Sequence, residues 1–362
     1  MIIYNCHTHT FTIDHVPRKF IPRIATWLAR KKGVRRFARR LFPFTDRDLI
    51  DRYINFFEVS LLGSQAAVFK KLKGFYPQGQ TDQTKFIVLP MDMAFMLADK
   101  VPVSLEQQHE ELAEIANSDN ACIPFIGVDP RREFVREMVM ELHTTKQFKG
   151  IKLYPPMGYY PNDARLTPIY KYAEEHKLPI MAHCSRGGVS IKKVTDEMLQ
   201  EPNPLGRPVV KMKAKLFSDI YTDPANYDSI ATQYPTLNIC LAHFGGDGDW
   251  DKYLEHSWHP GDPEESKSWL SVILDLIQKH DNIYTDISST LFQKDCYMDL
   301  LLVLLENKKV RERVLFGSDY YMMERVKSQE REMALKIRSR LGPTLFKQIA
   351  ETNPKRYLGI DK

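Results

Sequence analysis

With 362 residues, 43% of them hydrophobic and 27% charged, the chain is long enough to bury a large core, as two domains or as one large α/β barrel. No run of eighteen apolar residues occurs, and the N-terminus runs straight into "MIIYNC" without a basic region, an apolar stretch and a small-residue cleavage site. Membrane-spanning and secreted classes are therefore disfavoured, and a cytoplasmic location is expected. The net charge of +5 is a local surplus: residues 17–47 hold eleven Lys or Arg against Asp46 alone, so the rest of the chain is acidic and no nucleic-acid partner is expected.

In chain order, eight apolar runs read as strands: "IIYNCHTH" (2–9), "KFIVLPMDM" (85–93), "ACIPFIGVD" (121–129), "FKGIKLYP" (148–155), "LPIMAHCS" (178–185), "LNICLAHF" (237–244), "NIYTDIS" (282–288) and "RVLFGSDY" (313–320). Between them lie amphipathic stretches such as "SLEQQHEELAEIANS", "RREFVREMVMELHTT", "LTPIYKYAEEHK" and "ESKSWLSVILDLIQKH", and "SQEREMALKIRSRLG" follows the last run. Eight strand–helix units of this kind predict α/β architecture, a (β/α)8 TIM barrel over 1–362 as a single domain. Two connections are too long for plain loops, about 11–84 after the first strand and about 186–236 after the fifth. Both leave the C-terminal face of the barrel, where such enzymes keep their sites. The first holds the basic segment, whose apolar residues Ile21, Ile24, Trp27 and Leu28 recur at helical spacing opposite a basic face. An amphipathic helical lid is the first reading of it. A gate for an anionic substrate comes second, and peripheral membrane contact through 17–47 comes last.

The strand ends carry the chemistry. Residues i and i+2 of a strand face the same way about 7 Å apart, at roughly 3.3 Å per residue, so His7 and His9 share the barrel mouth. Taken alone, such a pair is better read as two hydrogen-bonded histidines. The later runs, however, end in Lys152, His183, His243, Asp286 and Asp319. A ring of polar groups closing apolar strands must be paired, hydrated or bound to metal. Imidazole and carboxylate donors suit a divalent metal, with zinc the first choice. The five cysteines are widely spread without a CxxC pair, which gives no disulfide framework. Strict alternation places Cys6, Cys184 and Cys240 at odd separations from the histidines, and hence facing the helices.

The set "HTH", "GIKLYPPMGYYPNDARLTPIYKYAEEHKLPIMAHCS", "PTLNICLAHFGG", "VLFGSDY" and the closing "NPKRYLGI" resembles the amidohydrolase superfamily, in particular the branch called amidohydrolase family 2. The resemblance implies His7, His9, His183 and Asp319 as metal ligands. It implies that His243 either ligates a second metal or polarises substrate. It also gives Asp319 a second role, as the catalytic base that takes a proton from the attacking water and returns it to the leaving group.

Lys152 has three readings: a carboxylated bridge between two metals, an unmodified ammonium near the substrate, or an ion pair with Asp129 or Asp286. Arg186 and Tyr154 are candidate substrate-binding residues, the first because a guanidinium at the mouth holds a carboxylate well. The expected function is that of a metal-dependent hydrolase, with one or two ions, attacking a C–N or C–O bond of a small, carboxylate-bearing amide, ester or lactone. A nonoxidative decarboxylase of an aromatic or dienoic acid is the alternative, and a non-catalytic barrel binding an anionic partner through the basic insertion is a third reading. A homo-oligomer is compatible with all of them.

Overall fold

A computed structural model describes residues 1–20, 58–76, 83–256, 263, 266–292, 294–322 and 330–360. The basic stretch from residue 21 onward therefore lies outside the described residues. Nine short parallel strands occur: β1 (Ile2–Thr8), β2 (Gln83–Val88), β3 (Cys122–Pro124), β4 (Ile126–Val128), β5 (Ile151–Leu153), β6 (Ile180–Ala182), β7 (Ile239–Leu241), β8 (Ile283–Asp286) and β9 (Val314–Leu315). They coincide with the eight apolar runs, because β3 and β4 are one barrel strand interrupted at Phe125.

Hydrogen bonding follows the order β1–β2–β3 and then β4 through β9. Phe125 joins the two sets: its N–H donates to Val88 O at 3.1 Å on one side, while Ile126 N–H donates to Gly150 O at 2.8 Å on the other. The ring closes where β9 meets β1. Cys6 N–H donates to Phe316 O and Asp319 N–H donates to His7 O, both at 2.8 Å, and Thr8 and Tyr320 form a parallel bridge. The molecule is a TIM barrel.

The helices fall on the amphipathic stretches. Leu105–Ser118 begins at Ser104, whose hydroxyl accepts from Gln107 N–H at 3.2 Å, and Trp269–Lys279 begins at Ser268, whose hydroxyl accepts from Ser271 N–H at 3.1 Å. Outward strand residues such as Ile3, Val88, Ile151, Ile239 and Val314 pack beneath these helices, each contributing about 1.5–3 kcal/mol by leaving water. A separate inner cluster fills the barrel below the mouth with Tyr4, Ile87, Phe125, Met181, Tyr284 and Leu315. Gly150 belongs to that packing, since a Cβ there would meet the Phe125 ring at 2.4 Å. Among the described residues no helix is long and apolar enough to cross a membrane.

The expected orientation of the cysteines holds for one of the three at strand ends. Cys184 faces outward, with its thiol 3.7 Å from Thr222 O. Cys6 and Cys240 belong to the inner cluster instead. In β1 a bulge intervenes, with Asn5 opposite Phe86 and Thr8 opposite Val88, so alternation fails and both Cys6 and His7 turn inward. After β7, His243 takes a left-handed conformation with φ 67°, which breaks the odd spacing from Cys240.

Candidate metal centre

All seven polar residues of interest sit buried at the C-terminal ends of the strands. His7, His9 and Asp319 each offer a ligand atom, and these atoms lie within 4.8 Å of one another. The shortest separations are 3.3 Å from His9 Nε2 to Asp319 Oδ1 and 3.7 Å from His7 Nε2 to the same oxygen. His183 joins through His243: its Nδ1 lies 3.1 Å from His243 Nε2, and the His243 ring centroid is 4.7 Å from that of His7. The four histidines and Asp319 thus meet in one place, although they come from β1, β6, β7 and β9.

The surrounding groups aim these donors. Asp286, at the end of β8, lies 2.8 Å from His7 Nδ1. That fixes the Nδ1–H tautomer and leaves Nε2, buried and without a hydrogen-bond partner among the described residues, directed at Asp319. His9 is held the same way, its Nδ1 at 2.8 Å from Leu89 O. The other Asp286 oxygen accepts from His243 N–H at 3.1 Å, from Ser288 N–H at 2.9 Å and from the Ser288 hydroxyl, whose oxygen is 2.9 Å from His243 Nδ1. Gly317 makes room for this arrangement, because a Cβ there would lie 2.8 Å from that of His7.

Burial pushes the His7 imidazole down to about 3 despite the opposing pull of Asp286. Burial also lowers His183 and His243, and the neighbouring His243 and Lys152 push His183 further. These three rings are neutral lone-pair donors at neutral pH. Burial alone would raise the Asp319 carboxyl, but the hydrogen bond from His9 and the fields of His243 and His7 outweigh it and hold the group ionised. Asp286 is held below the usual carboxylate range by His7, His243 and Ser288 in the same way, against its burial. Neutral imidazoles, one of them with an orphaned, inward Nε2, beside an ionised carboxylate form a donor set that fits a divalent cation.

Lys152 points into the mouth as its parity predicts, and its Nζ has no hydrogen-bond partner among the described residues. Burial lowers it to about 8, with Asp286 and Asp319 opposing the shift. The third reading of Lys152, an ion pair with Asp129 or Asp286, is not formed. Asp129 is instead paired with Arg131, and Asp286 with His7, His243 and Ser288. The Tyr154 ring lies 4.6 Å from the His183 ring, and burial raises its phenol far above the ordinary value. Arg186 stands at the rim. Its Nε donates to the buried Asp249 at 2.8 Å and its guanidinium lies 4.1 Å over the Trp269 ring, with 42% of the side chain exposed. Ser288 is absent from the sequence-derived set; "TDIS" places it two residues after Asp286, which is the only signal for it.

Residues 4–360 match the protein family described as amidohydrolase. The chain belongs to that family. This amidohydrolase matches no curated protein. Among solved structures it is similar to 4-oxalomesaconate hydratase from Rhodopseudomonas palustris, at 16% identity and TM-score 0.55, over 99% of this chain and 96% of that one. It is similar to 5-carboxyvanillate decarboxylase from Sphingomonas paucimobilis at 12% and 0.54, over 99% of both chains. It is also similar to an amidohydrolase from Burkholderia multivorans with bound zinc at 11% and 0.54, over all of both chains. At these identities the likeness establishes the shared fold. The amidohydrolase is an enzyme of a metal-dependent superfamily, and the reading as a non-catalytic barrel is set aside.

Proposed function

We propose that this amidohydrolase uses one divalent ion, zinc first among the candidates, to hydrolyse a C–N or C–O bond in a small substrate that carries a carboxylate. The observation that carries this reading is the convergence of His7, His9 and Asp319 within 4.8 Å, with His183 and His243 alongside. His7, His9, His183 and Asp319 would hold the ion. When bound, it supplies Lewis acidity, making water acidic enough to ionise near neutral pH and polarising a carbonyl.

The remaining roles belong to the chain. Asp319 takes the proton of the attacking water and hands it to the leaving nitrogen or oxygen. His243, steadied by Ser288 at Nδ1 and by its own backbone N–H on Asp286, keeps its Nε2 at the mouth, where on taking up a proton it would polarise the substrate oxygen. Asp286, Asp319 and Lys152 leave one negative charge in the mouth when the imidazoles are neutral. A divalent ion inverts that to one positive charge, which favours an anionic substrate. Arg186, pinned by Asp249 and stacked on Trp269, offers a preorganised guanidinium at the rim for the carboxylate.

A decarboxylase is the second reading, favoured by the Lys152 ammonium, which has no hydrogen-bond partner among the described residues and can receive the carboxylate of an aromatic acid. Incubating the zinc-loaded protein with carboxylate-bearing lactones, esters and amides, and with aromatic acids, in oxygen-18 water separates the two. Solvent oxygen in the product supports hydrolysis, and carbon dioxide release without it supports decarboxylation. A purified protein that retains no stoichiometric divalent ion would sink both.

A further inference from the structure

The bulge that turns His7 into the mouth is held from outside the barrel. Asn5, fully buried on the outer side of β1, accepts on its Oδ1 from Ser318 N–H at 3.0 Å and lies 3.4 Å from His7 N. Its Nδ2 donates to Ser318 Oγ at 2.8 Å and to Tyr76 Oη at 2.9 Å, and lies 3.4 Å from Glu330 Oε1. The Tyr76 hydroxyl donates to that same Glu330 oxygen at 2.6 Å. Ser318 Oγ in turn accepts from Tyr320 N–H at 3.2 Å. The Asn5 amide therefore ties down the peptide N–H of Ser318 directly and that of Tyr320 through Ser318 Oγ, on both sides of Asp319, and reaches the peptide of His7.

A bulge leaves backbone groups without their regular ladder partners, and here a side chain supplies one. Glu330 is only 3% exposed, and a carboxylate is expensive to bury unless hydrogen bonds hold it. What it accomplishes is to fix Tyr76 and the Asn5 amide, and thereby the seam at which His7 and Asp319 face each other. We propose that Asn5, Tyr76 and Glu330 are positioning residues that set metal affinity by fixing the seam between β1 and the chain after β9. Asn5 reaches only the peptide N–H of His7, and no hydrogen bond joins any of the three to a metal-donor side chain among the described residues.

This inference rests on the metal-dependent reading above, and its test separates the two. Zinc affinity of the full-length protein is measured by competition with a chromogenic chelator, for wild type and for Asn5→Ala, Tyr76→Phe, Glu330→Ala and Glu330→Gln. Far-UV circular dichroism and the melting transition of the metal-free forms report folding. The expected result for Asn5→Ala is affinity about 10- to 100-fold weaker, the range typical of groups that orient ligands. Tyr76→Phe and Glu330→Ala shift in the same direction, and Glu330→Gln, which keeps the acceptor oxygen, recovers most of the loss of Glu330→Ala. The visible spectrum of the cobalt-loaded protein changes in Asn5→Ala as the donors move. Folded Asn5→Ala and Tyr76→Phe variants with wild-type zinc affinity and an unchanged cobalt spectrum would overturn the proposal and leave the network a purely structural seam. Failure of wild type itself to bind zinc, cobalt or another divalent ion would overturn the metal reading instead.

Discussion

Asp319 has a left-handed backbone, φ 62°, an unusual conformation for a residue with a side chain and one that concentrates at functional sites. It points the carboxylate between the two β1 histidines, where no other carboxylate among the described residues contacts both. Asp319→Asn keeps the shape and removes the base, so turnover is expected to vanish while the circular dichroism spectrum stays close to wild type. Measurable turnover in that variant would exclude the proton-transfer role. Asp286→Asn tests the next contact out. Losing the carboxylate that holds His7 is expected to weaken zinc binding about 10- to 100-fold, read by chelator competition.

His109 separates stability from the site. It is buried, accepts from Gly127 N–H at 3.0 Å on Nε2, and is pushed down by burial to about 3. The unfolded chain protonates this ring near pH 6.5, whereas the folded chain resists down to about 3, so the unfolded state binds more protons across that window. Neutral His109 therefore favours folding above pH 6.5, and that contribution falls by up to about 1.4 kcal/mol per pH unit as the pH drops toward 3. Urea unfolding of wild type and His109→Gln at pH 7, 6, 5 and 4 checks it. The stability gap between them should narrow as pH falls, and a constant gap would show that His109 does not titrate on unfolding.

At the scale of elements, the strands are short and the turns that follow them aim the donors. β7 ends at Leu241, and a left-handed turn through His243, Phe244 and Gly245 brings His243 to the mouth. Gly150 plays its part within the wall, where the Phe125 ring occupies the space a side chain would need. Gly150→Ala is expected to destabilise the barrel by about 1–3 kcal/mol through overpacking, measured by denaturant unfolding. Adding Phe125→Leu to it should recover part of that loss, because the ring is the obstructing group.

For the whole molecule, donors from both ends of the chain meet only when the barrel closes, so metal binding and folding are linked. Free zinc at a hundred times its dissociation constant should raise unfolding free energy by ~2.7 kcal/mol. Chelation should accordingly lower the melting temperature of wild type, and do so much less in a His7→Ala, His9→Ala double variant. Equal shifts in both proteins would place the stabilising ion elsewhere.

The sequence by itself determined the alternation of strands and helices and the ring of polar strand ends, because hydrophobic period and strand-end chemistry are local properties. His7, His9, His183, His243 and Asp319 were legible for that reason. Tertiary structure decided what alternation does not encode. Pairing with β2 and with the chain after β9 creates the bulge that turns both Cys6 and His7 inward, and left-handed turns re-aim His243 and Asp319. Lys152 has no hydrogen-bond partner among the described residues, the nearby carboxylates being paired with Arg131, His7, His243 and Ser288, and Asn5 found Ser318 and Glu330 across nearly the whole chain. Such outcomes depend on register and on contacts between distant segments, which no window of sequence contains.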